Sequence, residues 1–222
     1  SSPSHHFQTT RGTAAHAHAG TASASAQPIR AKVVVADRDG LRKAGDAIRD
    51  GQLVAFPTET VYGLGASAFN EDALKSVFTT KGRPASDPLI VHVTNAAWAS
   101  ELLDLGNDAD TLRVFRALSD AFWPGPLTIV AKARVEAFGG AGAVNVATAG
   151  TGLVGVRVPE HPIARALIDA ARVPIAAPSA NRFGHVSPTT AKHVLDDLGA
   201  FPITILTPPA LPVSAGLSTA AA

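Results

Sequence analysis

A chain of 222 residues with a formal net charge of +1 is long enough for one sizeable buried core and carries no strong electrostatic footprint for nucleic acid. Cysteine is absent, which excludes disulfides, thiolate catalysis and Cys-ligated zinc, and no run approaches the ~18 apolar residues of a membrane span. Hydrophobic residues make up 46 % but aromatics only 5 %, so the core must come from Val, Leu, Ile and Ala, which suits an α/β fold.

Met is missing even at position 1, so the sequence reads as processed, trimmed or incomplete at its start. Residues 1–30 are rich in Ser, Ala, His, Thr and Gly, and the first acid is Asp37. They read as a disordered tail, with an acid-poor organelle transit segment as the alternative, and only Arg11 and Arg30 add charge there. His5, His6, His16 and His18 sit in that tail without the fixed geometry a catalytic metal needs.

From Lys32 onward apolar runs alternate with helical patterns. Val33–Val35 reads as a strand, residues 40–50 as a helix with Leu41, Ala44 and Ile48 on one face, and Gln52–Phe56 as a strand ended by Pro57. Asn70 is placed to cap a helix whose apolar face is Ala73, Leu74, Val77 and Phe78. Leu89–Val93 is a β-branched strand, followed by helices near 95–103 and 108–122 that close at Trp123-Pro124-Gly125. Leu127–Ala131 and Val154–Val158 read as strands, and the Gly/Ala-rich stretch 139–152 between them as a flexible loop. His161–Ala171 is helical, Pro174–Ala176 is a short strand, and Ser187 with Pro188 caps a helix to about Leu198. The expectation is one mixed α/β domain over 31–206, followed by a divergent Pro/Ala-rich tail at 207–222.

The chemistry-bearing residues recur two apart, a spacing that puts side chains on one face of an extended segment. Lys81 and Arg83 in Lys81-Gly82-Arg83-Pro84 would present two cations opposite phosphates or a carboxylate, with a solvated turn as the competing reading. Ser179 and Asn181 would present a hydroxyl and an amide to a ribose or phosphate, or satisfy their own loop. Arg157 shares a strand face with Gly155, opposite three valines, and a guanidinium there needs either a ligand anion or a structural Asp or Glu. His92, between Val91 and Val93, reads as a hydrogen-bonded structural residue. In Pro57-Thr58-Glu59-Thr60-Val61-Tyr62-Gly63-Leu64-Gly65, polar side chains gather at a strand's carboxyl end, and Glu59 would hold an ammonium or a metal or cap a turn. There is no G-x-x-x-x-G-K-[ST] phosphate loop, G-x-S-x-G elbow or H-E-x-x-H motif.

Taken in order, Pro57–Gly65, Lys81–Pro84, Pro88–Val93, Trp123–Thr128, Val156–Pro159 and Pro178–Asn181 resemble the YrdC/Sua5 family over about residues 34–199. The resemblance implies a twisted open mixed sheet with flanking helices around a concave cationic cavity. It implies a nucleotidyltransferase that condenses L-threonine, bicarbonate and ATP, with Mg2+, into threonylcarbamoyl-AMP and pyrophosphate for modification of adenosine 37 of tRNA. By resemblance, Lys81, Arg83, Pro84, Asp87, Ser179, Asn181 and Ser187 contact ATP, and Thr58, Thr60, Tyr62, His92 and Arg157 line the threonine pocket. No acid–base residue and no metal ligand is named. The implied partner is the tRNA threonylcarbamoyl-transfer machinery, with no membrane. The compartment is cytoplasmic, or mitochondrial or plastid if residues 1–30 are a transit segment.

The chain departs from the family pattern at Pro202–Ala222, where Gly216–Thr219 only echoes a Gly-x-x-Ser-Thr motif and no final strand is read. A frame-shifted, alternatively spliced or trimmed end would explain this, and the expectation is a form that binds nucleotide but turns over poorly. Two rivals remain: a non-catalytic RNA-binding module with weak RNA affinity, and a carbamoyl-transfer domain of the hydrogenase-maturation type. The modest charge speaks against the first, and the lack of cysteine-bearing neighbours against the second.

Overall fold

A computed structural model describes residue 28 and residues 30–209. The expected tail before these residues and the Gly216–Thr219 echo lie outside them. The strands are β1 (Lys32–Val35), β2 (Val54–Pro57), β3 (Tyr62–Ser67), β4 (Ile90–His92), β5 (Leu103–Asp104), β6 (Ile129–Ala133), β7 (Leu153–Arg157), β8 (Ile175–Ala176) and β9 (Thr204–Thr207). The helices are α1 (Arg38–Arg49), α2 (Glu71–Lys81), α3 (Ala96–Leu102), α4 (Ala109–Phe122), α5 (Ala141–Thr148), α6 (Pro162–Ala171) and α7 (Ala191–Leu198).

All nine strands join one mixed sheet in the order β1-β9-β2-β3-β8-β4-β7-β6-β5. Pairing is parallel for β1/β9, β2/β9 and β4/β7 and antiparallel for the other five pairs. The period of two along each strand sorts side chains onto two faces. Val54 and Phe56 of β2, Ile175 of β8 and Leu206 of β9 pack with Ile48 of α1 and Leu167 and Ile168 of α6. Ala55, Ala176 and Ile205, their immediate neighbours, pack on the opposite face with Leu74 and Val77 of α2 and Val144 of α5. Helices therefore cover both faces, and the two clusters form the core.

Helix ends follow the sequence signals closely. Asp37, Asn70, Asn95, Asp108 and Thr190 each accept a backbone N–H of the following first turn, satisfying a donor the helix itself cannot. Gly82 ends α2 in the left-handed region, φ 61°, where its N–H returns to the Phe78 and Thr79 carbonyls.

Several expectations are corrected. The stretch 139–152 is not a flexible loop: a 3-10 turn at Val135–Phe138 leads through Gly139 and Gly140 into α5. Alanine is the strongest helix former, and Ala143, Val144, Ala147 and Thr148 share a buried face against α2, so the glycines bracket a helix rather than dissolve one. Helix α7 starts at Ala191, not at Ser187-Pro188, because the Pro188 carbonyl is taken by the Tyr62 N–H at the start of β3. The polar run after Pro57 is a tight turn over Thr58–Val61 that feeds a second strand, β3. Residues Thr204–Thr207, read as part of the departing end, form the strand inserted between β1 and β2.

Candidate active site

Two polar centres meet around the start of β3. The first is built on the turn that joins β2 to β3. Thr58 Oγ1 donates to the Val61 carbonyl at 2.6 Å and lies 3.0 Å from Thr60 Oγ1, so one hydroxyl both closes the turn and aligns the next. Between them Glu59 turns inward and meets Arg157 at the end of β7, with Oε1 accepting from Nη2 at 2.5 Å and from Nε at 3.2 Å. Arg157 Nε also reaches the Gly125 carbonyl at 3.2 Å, and Nη2 lies 3.5 Å from Thr60 Oγ1.

This contact reports the shape of the sheet. Strands β2 and β7 are separated by β3, β8 and β4, which in a flat sheet would put them about 19 Å apart. Two side chains cannot bridge that distance, so the sheet coils and the turn folds over its face. The side chains of Arg157 and Glu59 are only 9 % and 14 % exposed, which makes this a largely desolvated ion pair. Burial pushes the Glu59 carboxyl up, but the Arg157 hydrogen bond and charge and nearby backbone donors outweigh it and hold the group below its usual value. Glu59 Oε2 is buried without a hydrogen-bond partner.

The Gly125 carbonyl is presented by the Trp123–Leu127 loop, closed by Trp123 Nε1 on the Leu127 carbonyl at 2.8 Å and by Gly125 N on the Val158 carbonyl at 2.8 Å. A side chain at Gly125 would come within 2.4 Å of the Phe122 carbonyl, so the turn admits glycine alone. His92 sits level with Arg157 in the paired strands β4 and β7. It is buried, packs edge-on against Phe56 and has Nδ1 3.1 Å from the Ile90 carbonyl. Burial, with the Arg157 cation beside it, pushes its imidazole down to about 4, so His92 is a neutral wall of this centre. His161, also lowered by burial while Glu59 opposes the shift, flanks the same turn.

The second centre surrounds Lys81. The spacing argument placed Lys81 and Arg83 side by side on an extended segment, and the structure corrects this. Lys81 is the last residue of α2, buried, and Gly82 turns the chain away from it. Its Nζ donates to the Ser179 carbonyl at 2.5 Å and to the Asn181 carbonyl. Arg83 instead pairs with Asp87 at 3.1 Å and lies over the Phe78 ring at 6.0 Å. Burial, and then the Arg83 charge, push the Lys81 ammonium down to about 8, with Asp197 of α7 opposing.

Asn181 spends both amide hydrogens on its own loop, on the Arg182 carbonyl at 2.8 Å and the His185 carbonyl at 2.7 Å, and its Oδ1 is buried without a partner. Asp197 Oδ2 accepts from the Arg182 N–H at 2.7 Å, and Oδ1 meets His185 Nδ1 at 2.6 Å. Ser187 is exposed and lines a cavity of about 340 Å³ with His185, Pro188, His193 and Asp197. Pro84 is exposed as well.

Strand β3 joins the centres: the Tyr62 carbonyl accepts from the Ala180 N–H at 2.8 Å, and Gly63 bridges Ser179. Tyr62 is itself buried, and burial raises its phenol while the Ala191 backbone opposes the rise. The structure thus brings together Thr58, Thr60, His92 and Arg157 on one side and Lys81, Ser179 and Asn181 on the other, with Tyr62 between. Arg83 and Asp87 form a pair beside the second centre. Sequence reasoning missed the Gly125 carbonyl and Asp197, neither of which carries a local signal. For Glu59 the sequence offers an ammonium, a metal or a turn cap, and the residue instead meets Arg157, which is the structural-carboxylate alternative offered for that arginine.

The fold and site define a class: a mixed-sheet α/β protein whose charged and hydroxyl groups gather over one coiled face, without a phosphate loop. A family model described as telomere recombination (Sua5/YciO/YrdC) matches residues 46–214, and the chain belongs to that family. It is 45 % identical over 158 residues to a threonylcarbamoyl-AMP synthase of Bacillus subtilis, covering 71 % of this chain and 43 % of the relative. A threonylcarbamoyl-AMP synthase of Pyrococcus abyssi is 46 % identical over 159 residues, again 71 % of this chain and 43 % of the relative. The chain therefore spans less than half the length of those relatives. The crystal structure of P. abyssi Sua5 complexed with L-threonine is similar with a TM-score of 0.67 and 41 % identity, covering 79 % of this chain and 49 % of that one.

Proposed function

We propose that this chain forms threonylcarbamoyl-AMP and pyrophosphate from L-threonine, bicarbonate and ATP, supplying the carbamoyl-adenylate for modification of adenosine 37 in tRNA. The observation that carries the reading is the division of charge between the two adjoining centres. Arg157 and Glu59 offer a fixed cation and a fixed anion, a match for a zwitterionic amino acid, beside two hydroxyls and the neutral His92. Lys81 is held by carbonyls rather than by a carboxylate, so its positive charge remains available to a polyphosphate. The family, the names of the relatives and the threonine complex of the P. abyssi protein support the same assignment.

The chemistry needs alignment and charge neutralisation more than a protein nucleophile. The threonine amine adds to the carbon delivered by bicarbonate, losing water and leaving a carbamate. A carbamate oxygen then attacks the α-phosphorus of ATP, and pyrophosphate departs. Arg157 and Glu59 orient the amino acid, the Thr58 and Thr60 hydroxyls flank it, and Lys81 offsets charge on the phosphates. Among the described residues no three His, Asp or Glu gather around a metal. A Mg2+ carried on the triphosphate would be held through Glu59 Oε2, a buried carboxylate oxygen without a partner, and would offset charge on the leaving pyrophosphate.

The test is pyrophosphate release by the purified 222-residue chain with ATP and Mg2+. Release that requires both L-threonine and bicarbonate is the expected result. Release indifferent to threonine, or none from a chain that binds ATP, contradicts it.

A further inference from the structure

Asp197 has no part in the assignments above, yet it holds two residues, Arg182 and His185, of the loop that meets Lys81. Its carboxylate is the far end of a chain of contacts that begins at α7 and ends at the α2 ammonium. Oδ2 accepts from the Arg182 N–H at 2.7 Å, and Oδ1 meets His185 Nδ1 at 2.6 Å. The His185 carbonyl takes an amide hydrogen of Asn181 at 2.7 Å, and the Asn181 carbonyl takes Lys81 Nζ. The Phe183 N–H returns to the Lys81 carbonyl at 2.8 Å, so the segment is tied to α2 at two points. Between these ties the loop carries exposed residues: Phe183 and Val186 are 56 % and 91 % exposed. A loop with so little apolar burial of its own keeps its shape through these hydrogen bonds.

We propose that Asp197 is a positioning residue for the nucleotide half of the site, holding the Ser179–Ser187 loop through the Arg182 N–H and the His185 ring. The proposal rests on the functional reading above and deepens it. The Asp197 side chain is 19 % exposed, so its hydrogen bonds are only partly exchangeable with water. The charged groups facing Lys81 are Arg83, itself paired with Asp87, and Asp197. Those facing Asp197 are Lys81 and the His185 ring, while Arg182 directs its guanidinium to the Phe201 ring 5.9 Å away.

Two substitutions grade the loss. Asp197→Ala removes both of the loop's acceptors, whereas Asp197→Asn keeps one oxygen acceptor for the Arg182 N–H and turns the other, facing His185, into an N–H donor. In the full chain, affinity for Mg-bound β,γ-imido-ATP is read by calorimetry, with backbone amide exchange of residues 179–187 measured alongside. Asp197→Ala is expected to weaken nucleotide binding about tenfold or more and to speed exchange of the Arg182 amide. It leaves the threonine KM within about twofold, because the two centres meet only through β3. Asp197→Asn, which keeps the Arg182 acceptor, falls between the wild type and Asp197→Ala in both readouts. Asp110→Asn, on α4 and paired with exposed Arg113, serves as the control and changes neither readout.

Unchanged nucleotide affinity in a folded Asp197→Ala protein overturns the positioning role alone. If Asp197→Ala does not fold, Asp197→Asn decides: nucleotide affinity and Arg182 amide exchange both equal to the wild type overturn the role. A wild-type chain that binds no nucleotide overturns the functional reading and this role with it.

Discussion

The two centres hold one buried cation each, and they neutralise it in opposite ways. Arg157 faces a carboxylate, so its centre is close to net neutral. Lys81 faces two carbonyl oxygens, dipoles that satisfy its donors without cancelling its charge. The difference teaches what each half is suited to receive. A neutral pair of opposite charges orients a zwitterion without attracting anions in general, while a carbonyl-held ammonium still attracts a phosphate. It also sets the energetic risk: an ion pair broken in a desolvated setting leaves an uncompensated charge, whereas carbonyls deprived of Lys81 lose hydrogen bonds only.

The largest effect is therefore expected at the ion pair. Arg157→Ala leaves Glu59 buried and charged, and urea unfolding should show a loss of about 3–5 kcal/mol together with loss of threonine-dependent pyrophosphate release. Replacing both partners, Arg157→Met with Glu59→Leu, should restore most of the stability and none of the release. A double variant as unstable as the single one would mean that the pair does more than compensate itself.

Next in size is a pH effect from His92. Its folded-state pKa of about 4 lies below the ordinary value near 6.5, so the unfolded chain takes up the proton first. Stability from this group is complete above about pH 6.5 and is lost as pH falls toward 4, a change of about 3 kcal/mol. Lys81 acts in the other direction: with a folded value of about 8 below its usual one, stability rises as pH climbs through the interval above 8, while attraction for phosphate fades. A His92→Gln protein should lose about 3 kcal/mol of the acid limb of the stability profile, keeping the part contributed by Glu59 and His161, and keep the alkaline limb. Equal acid limbs in the two proteins would remove His92 from the account.

A smaller effect is expected far from both centres. Gly45 of α1 packs so closely on α6 that a Cβ would come within 2.6 Å of the Ala170 backbone. Gly45→Ala should cost about 1–3 kcal/mol through that overpacking, lowering Tm with both substrate KM values unchanged. A shifted KM would show that the α1–α6 layer reaches the site.

Much of the fold was legible because the sequence states it locally. Asp37, Asn70, Asn95 and Asp108 sit where helix caps belong, and the alternation along Val54, Ala55 and Phe56 sorts one strand onto two faces. What was not legible is what depends on distant partners. The Gly/Ala stretch that forms α5 takes its shape from α2, and Thr204–Thr207 become a strand because β1 and β2 leave a place between them. At the site, residue types were readable and their pairings were not. Arg157 announced a need for an anion, but the residue that meets it, Glu59, lies 98 positions away across three intervening strands. Lys81 reads as extended because its two-residue spacing from Arg83 suits one face of an extended segment, while the αL cap at Gly82 lets the helix keep the lysine to its last residue.

The division of the site by charge is tested most directly by Lys81→Met, assayed for pyrophosphate release with ATP and L-threonine varied in turn. The account predicts an ATP KM raised about tenfold or more and a threonine KM within about twofold of wild type. A loss shared equally by both substrates, or falling on threonine alone, would contradict it.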